Sequence, residues 1–186
     1  METKTALLDS AEKLARMRGY DAFSYADLAR EVGIRKASIH HHFPSKADLA
    51  LALVKRYRSR FAQALEGIAQ RHRTAGRRLT EYFEVYRQAL SGGQTVCLCV
   101  AFSAGRNSLS TEVLAELAAF DRASRDWLAE IFRLGRYDGS IANVGDPRAE
   151  AAACLALAEG AQLQACSSED VERFDAAIQQ MLGRLR

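Results

Sequence analysis

Apolar residues recur at every third or fourth position along almost the whole chain, the period of helices that each bury one face. Leu7, Leu8, Ala11, Leu14 and Ala15 make the first stripe and Gly19 follows it, which predicts a helix over about residues 5–18. Ser24, with Asp27 three residues on, reads as a capping box for a second helix that carries Leu28, Ala29 and Val32 and ends at Gly33. A short third helix fits residues 35–43, after which Pro44 and the pair Ser45 and Asp48 open a fourth. Leu49, Leu53, Tyr57, Phe61, Leu65 and Ile68 carry that fourth stripe to about residue 71. Leu79, Tyr82, Phe83, Tyr86 and Leu90 mark a fifth helix, closed by Gly92 and Gly93, and a short apolar sixth runs over 96–104. Val113, Leu117, Phe120, Trp127 and Ile131 place the buried face of a seventh helix over about 111–134, and 135–145 reads as loop. Asp146 as cap and Pro147 at the first helical position open an eighth helix to about residue 165. Ser167 with Asp170 caps a ninth that carries Phe174, Ile178, Met181 and Leu185. The expected fold is all-α, with nine helices.

Composition agrees with that pattern. Of 186 residues, 33 are Ala and 21 Leu, against 20 for Val, Ile and Thr together, and two prolines interrupt the chain. The longest uncharged stretch, 88–105, is broken by Ser91, Gly92, Gly93, Gln94 and Thr95 and leaves an apolar run far too short to cross a bilayer. Asp9, Glu12 and Lys13 interrupt the N-terminus before a secretory signal core could form, so a cytoplasmic protein without a membrane partner is expected. Cys97, Cys99, Cys154 and Cys166 lack the paired short spacings of a zinc site and are expected to be reduced thiols.

Charge is unevenly spread. Between residues 51 and 80 eight basic residues face one acidic one, whereas beyond residue 80 ten basic residues face fifteen acidic ones. A polyanion therefore approaches the N-terminal half. The basic run Lys55, Arg56, Arg58, Arg60, Arg71, Arg73, Arg77 and Arg78 is expected to be a solvated face that attracts at long range. At about 1.5 Å of rise per residue, Arg60 lies roughly 20 Å beyond Lys46, too far for direct contact with the same groove.

Residues 25–44 carry the sharpest signal, because a helix-turn-helix needs particular residue types at a few interior positions. Ala29 supplies the small side chain where two helices cross, and Gly33, four residues on, takes a turn conformation that a Cβ would penalise. Leu28, Val32, Ile34 and Ile39 form the wedge between the helices, and Phe43 closes its end against the first helix. The outward positions are then Arg35, Lys36, Ser38, His40, His41 and His42, hydrogen-bonding or cationic groups suited to a major groove. Three successive helical histidines point about 100° apart and cannot converge on one metal ion, so two facing DNA and one satisfied against the structure is the expectation.

The run Gly19-Tyr20, Phe23-Ser24, Asp27-Leu28-Ala29, Val32-Gly33-Ile34, Lys36-Ala37-Ser38-Ile39, His42-Phe43 and Ser45-Lys46 resembles the N-terminal domain of the TetR family of transcriptional regulators. This resemblance spans about residues 5–55; beyond it only helix count, lengths and order agree. It implies that Ser24, Tyr25, Ser38, His41, His42 and Lys46 hold phosphates, and that Lys36 and Ala37 face base edges. Helix starts donate N–H groups to phosphate, Lys36 can reach guanine acceptors, and the Ala37 methyl can meet thymine. The chain departs from the family in carrying His40 where Tyr is usual and Ala37 where Gly is frequent, so a contact that the family makes with a phenol is expected to be either weaker here or, if imidazole replaces it, pH-dependent.

The resemblance further implies a C-terminal ligand cavity, for which Tyr82, Phe83, Tyr86, Cys97, Phe102, Trp127 and Gln162 are the candidate lining. Aromatics at helical spacing read equally as plain core. Cys97 reads as inert packing or as a reactive thiol favoured by Arg87 or Arg106. No phosphate-binding Gly-rich loop, nucleophile motif or spaced metal-ligand set occurs, so neither an enzyme nor a cofactor is expected. Residues 1–46 then form a DNA-binding domain and residues 47–186 a ligand-binding and dimerisation domain. The small residues of the eighth helix (Ala149, Ala151, Ala152, Ala153, Ala156, Gly160, Ala161) and the ninth helix's Phe174, Ile178, Met181, Leu182 and Leu185 form the expected homodimer surface. The expected function is a repressor that binds a palindromic operator as a dimer and is released by a small-molecule inducer. Two alternatives stand beside it: a thiol-based sensing repressor, and a helical interaction protein without operator binding.

Overall fold

The computed structural model describes residues 3–186, and among these the secondary structure is nine α-helices with a single 3₁₀ turn. In order they are α1 (Thr3–Arg18), α2 (Tyr25–Val32), α3 (Lys36–His42), α4 (Lys46–Arg71), α5 (Ala75–Ala89), α6 (Leu98–Ala104), α7 (Thr111–Asp138), α8 (Pro147–Ser168) and α9 (Glu172–Leu182), with the 3₁₀ turn at Arg106–Ser108. No described helix is long and apolar enough to cross a membrane. The chain folds as two compact units that do not divide at residue 46. The first comprises residues up to 59 together with Leu98–Ala119, and the second Arg60–Cys97 with Phe120–Arg186, so that α4 and α7 each belong to both.

In the first unit the expected wedge is the core. Leu28 and Ile39 are fully buried and pack with Leu7, Leu14, Phe43, Leu49 and Leu53, and α6 and α7 add Leu98, Phe102 and Val113. Each such side chain stabilises the fold by roughly 1.5–3 kcal/mol. α2 starts where the sequence says it should. The Ser24 hydroxyl accepts from the Asp27 amide while the Asp27 carboxylate accepts from the Ser24 amide, at 2.8 Å for the latter. The helix stops at Gly33, whose φ of 74° is left-handed and whose N–H donates to the Ala29 carbonyl. Ser45 and Asp48 repeat the reciprocal cap at the head of α4, with bonds of 2.9 and 3.1 Å.

Arg56, Arg58 and Arg78 of the basic run are half-buried and, like the exposed Arg71, are engaged with neighbours. Arg56 reaches back to α1 and donates to Asp9 and Glu12, each at 2.8 Å, and Arg58 donates to Glu116 at 2.9 Å. In the second unit Arg71 pairs with Glu81, and Arg78 donates to the Ala69 and His72 carbonyls. Each long side chain found an acceptor brought near by folding, which helical spacing does not reveal. Lys55, Arg60, Arg73 and Arg77 are exposed.

In the second unit, α7 runs four residues past its expected end. Asp138 gives the added turn a purpose, because its carboxylate accepts from the Ala75 and Ser140 amides at 2.8 and 2.9 Å, and Gly139, at φ 74°, ends the helix. Gly135 must be glycine here, since a Cβ would lie 2.6 Å from the Ile141 side chain. Asp146 caps α8 as expected. The ninth helix is not capped by Ser167, which remains inside α8; α9 begins after Val171, and Asp170 accepts from the Glu172 amide at 3.0 Å. The sixth helix likewise begins at Leu98, leaving Val96 and Cys97 before it.

Candidate nucleic-acid interface and second-unit interior

The turn at Gly33 presents α3 with Ile39 inward and Arg35, Lys36, Ala37, Ser38, His40 and His41 exposed, while His42 is half-buried. Ala37, Ser38, His41 and His42 share an open recess of about 510 Å³ with Thr3 and Ile34. This is a convex polar rod with a shallow hollow beside it, the shape that meets a groove and its bordering phosphates. Lys36 stands at the N-terminal turn of α3, where side chains reach base edges in this kind of docking.

Ser24, Tyr25 and Lys46, implied by the resemblance, and His40, the departure from it, make contacts within the unit itself. The Ser24 hydroxyl donates to Asp27 at 2.7 Å, which spends the proton a phosphate would need, and the same bonds hold the Asp27 carboxyl below its usual range. Tyr25 is buried, not exposed to a phosphate. Its hydroxyl lies 2.9 Å from the Phe43 carbonyl and 2.6 Å from that of Ser45, so it fastens α2 to the α3–α4 connection, and burial raises its pKa to about 12. Lys46 folds back over the Tyr20 and Phe23 rings, its Nζ 4.5 and 4.6 Å from their centroids, and its partial burial lowers its pKa. His40 turns its Nδ1 to the Pro44 carbonyl at 3.1 Å, with its ring 4.9 Å from Tyr25. Because a carbonyl only accepts, that nitrogen carries the proton, and His40 is the histidine satisfied against structure. His41 and His42, whose rings lie 5.5 Å apart, are the pair that line the recess.

The second unit gathers six of the seven candidate lining residues. Tyr82 and Tyr86 are 0% and 2% exposed. The Tyr82 ring stacks on Trp127 at 5.6 Å and 20° and lies 5.7 Å from Phe83. Gln162, 0% exposed, donates to the Tyr86 carbonyl at 2.6 Å and accepts from the Cys97 amide at 2.9 Å, so one amide ties α5, α8 and the segment before α6 together. Phe102 is not with them: it belongs to the core of the first unit, 5.3 Å from Tyr20. Helical spacing placed Phe102 inside, but could not say inside which unit.

Burial pushes the Cys154 thiol up to about 12 and raises that of Cys166, and Cys97 is 1% exposed. Arg87, an expected activator of Cys97, is committed elsewhere, with two bonds of 2.7 and 2.9 Å to Asp175. Sequence reasoning missed Glu159, which burial first, then Cys97 and Asp121, raise to about 7 against the counteracting Arg125. A signal was present, since Glu159 is the lone charged residue between 151 and 168.

The family model of bacterial regulatory proteins of the tetR family matches residues 7–53, which span α1, the α2–α3 turn and the start of α4. A solved TetR-family transcriptional regulator from Agrobacterium tumefaciens is 32% identical, covers 98% of this chain and 97% of its own, and superposes with a TM-score of 0.92. The chain belongs to the TetR family. It is also similar to the HTH-type transcriptional repressor NemR of Escherichia coli K12, at 26% identity over 95% of this chain and 90% of NemR. The crystal structure of reduced NemR superposes with a TM-score of 0.82. As a TetR-family member the protein is a helix-turn-helix regulator of transcription, and α2 and α3 are its helix-turn-helix.

Proposed function

We propose that this TetR-family regulator is a cytoplasmic repressor that binds a near-palindromic operator as a homodimer and is released by a small molecule held in its second unit. The exposed polar face of α3 carries the reading: Arg35, Lys36, Ser38, His41 and His42 meet the DNA, with Lys36 and Ala37 at base edges. Ser24, Tyr25, His40 and Lys46 act behind them by fixing the turn and the head of α4. Two copies present two α3 helices to successive major grooves about 34 Å apart.

The dimer surface in this reading is the outer seam of α8. Ala149, Ala153, Ala156, Leu163 and Ser167 are exposed and Gly160 is half-buried, at alternating spacings of three and four. A helix apolar on its inner and outer sides has a second surface to cover. The expected contribution of α9 is smaller, because Phe174, Ile178 and Met181 are 0–7% exposed and already consumed inside the protomer. Small molecules act through α4, whose residues 46–59 lie in the first unit and 60–71 in the second. The thiol-based alternative calls on Cys97, whose 1% exposure favours packing over reactivity.

A gel shift tests the reading. Saturable, salt-sensitive binding to a duplex is expected, and Lys36→Ala weakens it by about 1–3 kcal/mol, or about 5- to 150-fold, with relaxed sequence preference. Binding indifferent to that substitution, or absent for every duplex, leaves the interaction-protein alternative.

A further inference from the structure

The recess beside α3 follows the helix turn by turn: Ile34 before it, Ala37 and Ser38 in the first turn, His41 and His42 one turn on, with Thr3 contributed by α1. Its polar lining is two hydroxyls and two imidazoles, and no carboxylate lines it among the described residues. His40 lies outside this set, since its Nδ1 donates to the Pro44 carbonyl and its ring packs on Tyr25.

The charged groups around the recess have one sign to spare. Lys4 of α1 stands 5.9 Å from the Phe43 ring, and Arg35 and Lys36 are exposed at the head of α3. The carboxylates of the elements packed there are bonded elsewhere. On α1, Asp9 and Glu12 accept from Arg56; in the turn to α2, Asp21 accepts from Ser108. On α2, Asp27 accepts from Ser24 and Glu31 from Lys13, and on α4 Asp48 accepts from Ser45. An anion seated in the recess therefore meets donors and cations without a competing acid. Lysine and arginine stay charged between pH 5 and 8, whereas histidine is the side chain whose charge ordinarily changes there. Two imidazoles with centroids 5.5 Å apart repel each other when both are charged, and a phosphate beside them relieves that repulsion and favours the charged form of each. Resting on the reading of α3 as the DNA-contacting element, we infer that this recess seats a backbone phosphate of the operator and that His41 and His42 take up protons from solvent as it fills. Affinity for the operator then rises as pH falls from 8 to 6, and the grip on DNA reports acidity without any effector.

Fluorescence anisotropy of the full chain on a duplex selected from a random pool, at fixed ionic strength, tests this. Binding is at least about ten-fold tighter at pH 6 than at pH 8, and calorimetry at pH 7 in two buffers of different ionisation enthalpy shows net proton uptake. The double variant His41→Gln, His42→Gln keeps a cooperative thermal transition and binds at pH 8 about as the parent does, but its affinity no longer responds to pH. His41→Gln alone, at the exposed member of the pair, lowers the proton uptake, and His40→Gln leaves the pH response in place. A parent affinity that is flat between pH 6 and 8, a response that survives in the double variant, or one that is lost in His40→Gln alone overturns the inference. The wider reading fails on a different result: no duplex bound at any pH, or binding indifferent to Lys36→Ala.

Discussion

Around α2 and α3 the hydroxyl groups at the turn are tied to neighbours within the first unit: Ser24 to Asp27, Ser45 to Asp48, Tyr25 to two carbonyls. At the aromatic cluster of the second unit, the Tyr82 and Tyr86 phenols are buried with no partner beyond one another, and burial raises the carboxyl of the half-buried Glu159 to about 7. The first arrangement fixes one geometry and turns its remaining polar groups outward, as a rigid reading head requires. The second keeps polar groups inside with few partners.

The largest expected effect on that contrast comes from Gln162, a fully buried side chain whose amide bridges α5, α8 and the segment before α6. Gln162→Leu keeps the volume but orphans the Cys97 amide and the Tyr86 carbonyl, and denaturant unfolding should show a loss of about 2–4 kcal/mol. An unchanged midpoint would mean that this unit does not depend on the bridge.

Next is pH. An acid whose folded pKa exceeds its unfolded one keeps its proton in the folded chain after the unfolded chain has lost it, so stability falls as pH rises through that window. For Glu159 the window runs from 4.5 to about 7. The expected loss is on the order of 2 kcal/mol between pH 5 and pH 8 in the parent protein, and it should be absent from Glu159→Gln. A parent curve parallel to that of the variant would remove Glu159 from the interior.

The smallest effects sharpen the comparison most. Tyr25→Phe should destabilise by about 1–2 kcal/mol in thermal unfolding, because two carbonyls at the α3–α4 connection lose their donor. Tyr82→Phe should change stability by less than about 1 kcal/mol, because its hydroxyl has no partner beyond the neighbouring Tyr86 phenol. Equal losses in both variants would erase the distinction between the two regions.

Local signals carried the sequence reading a long way. Capping pairs at Ser24 and Ser45, the left-handed Gly33 and the apolar stripes placed the helices and the outward face of α3. What escaped were side chains whose partners are distant in sequence. Lys46 was drawn to Tyr20 and Phe23, Arg56 to Asp9 and Glu12, and Phe102 to Tyr20 across more than eighty residues. Asp138 extended α7 because Ala75 offered an amide. A periodic pattern says that a position is inside, and only packing says against what.

Hydroxyl-radical footprinting on a duplex selected from a random pool is the most direct test of α3 as the reading element. Two inverted protected patches are expected, their centres one helical turn or a multiple of it apart, and both lost in Lys36→Ala at matched salt. A single patch, or a footprint that Lys36→Ala leaves intact, contradicts the account.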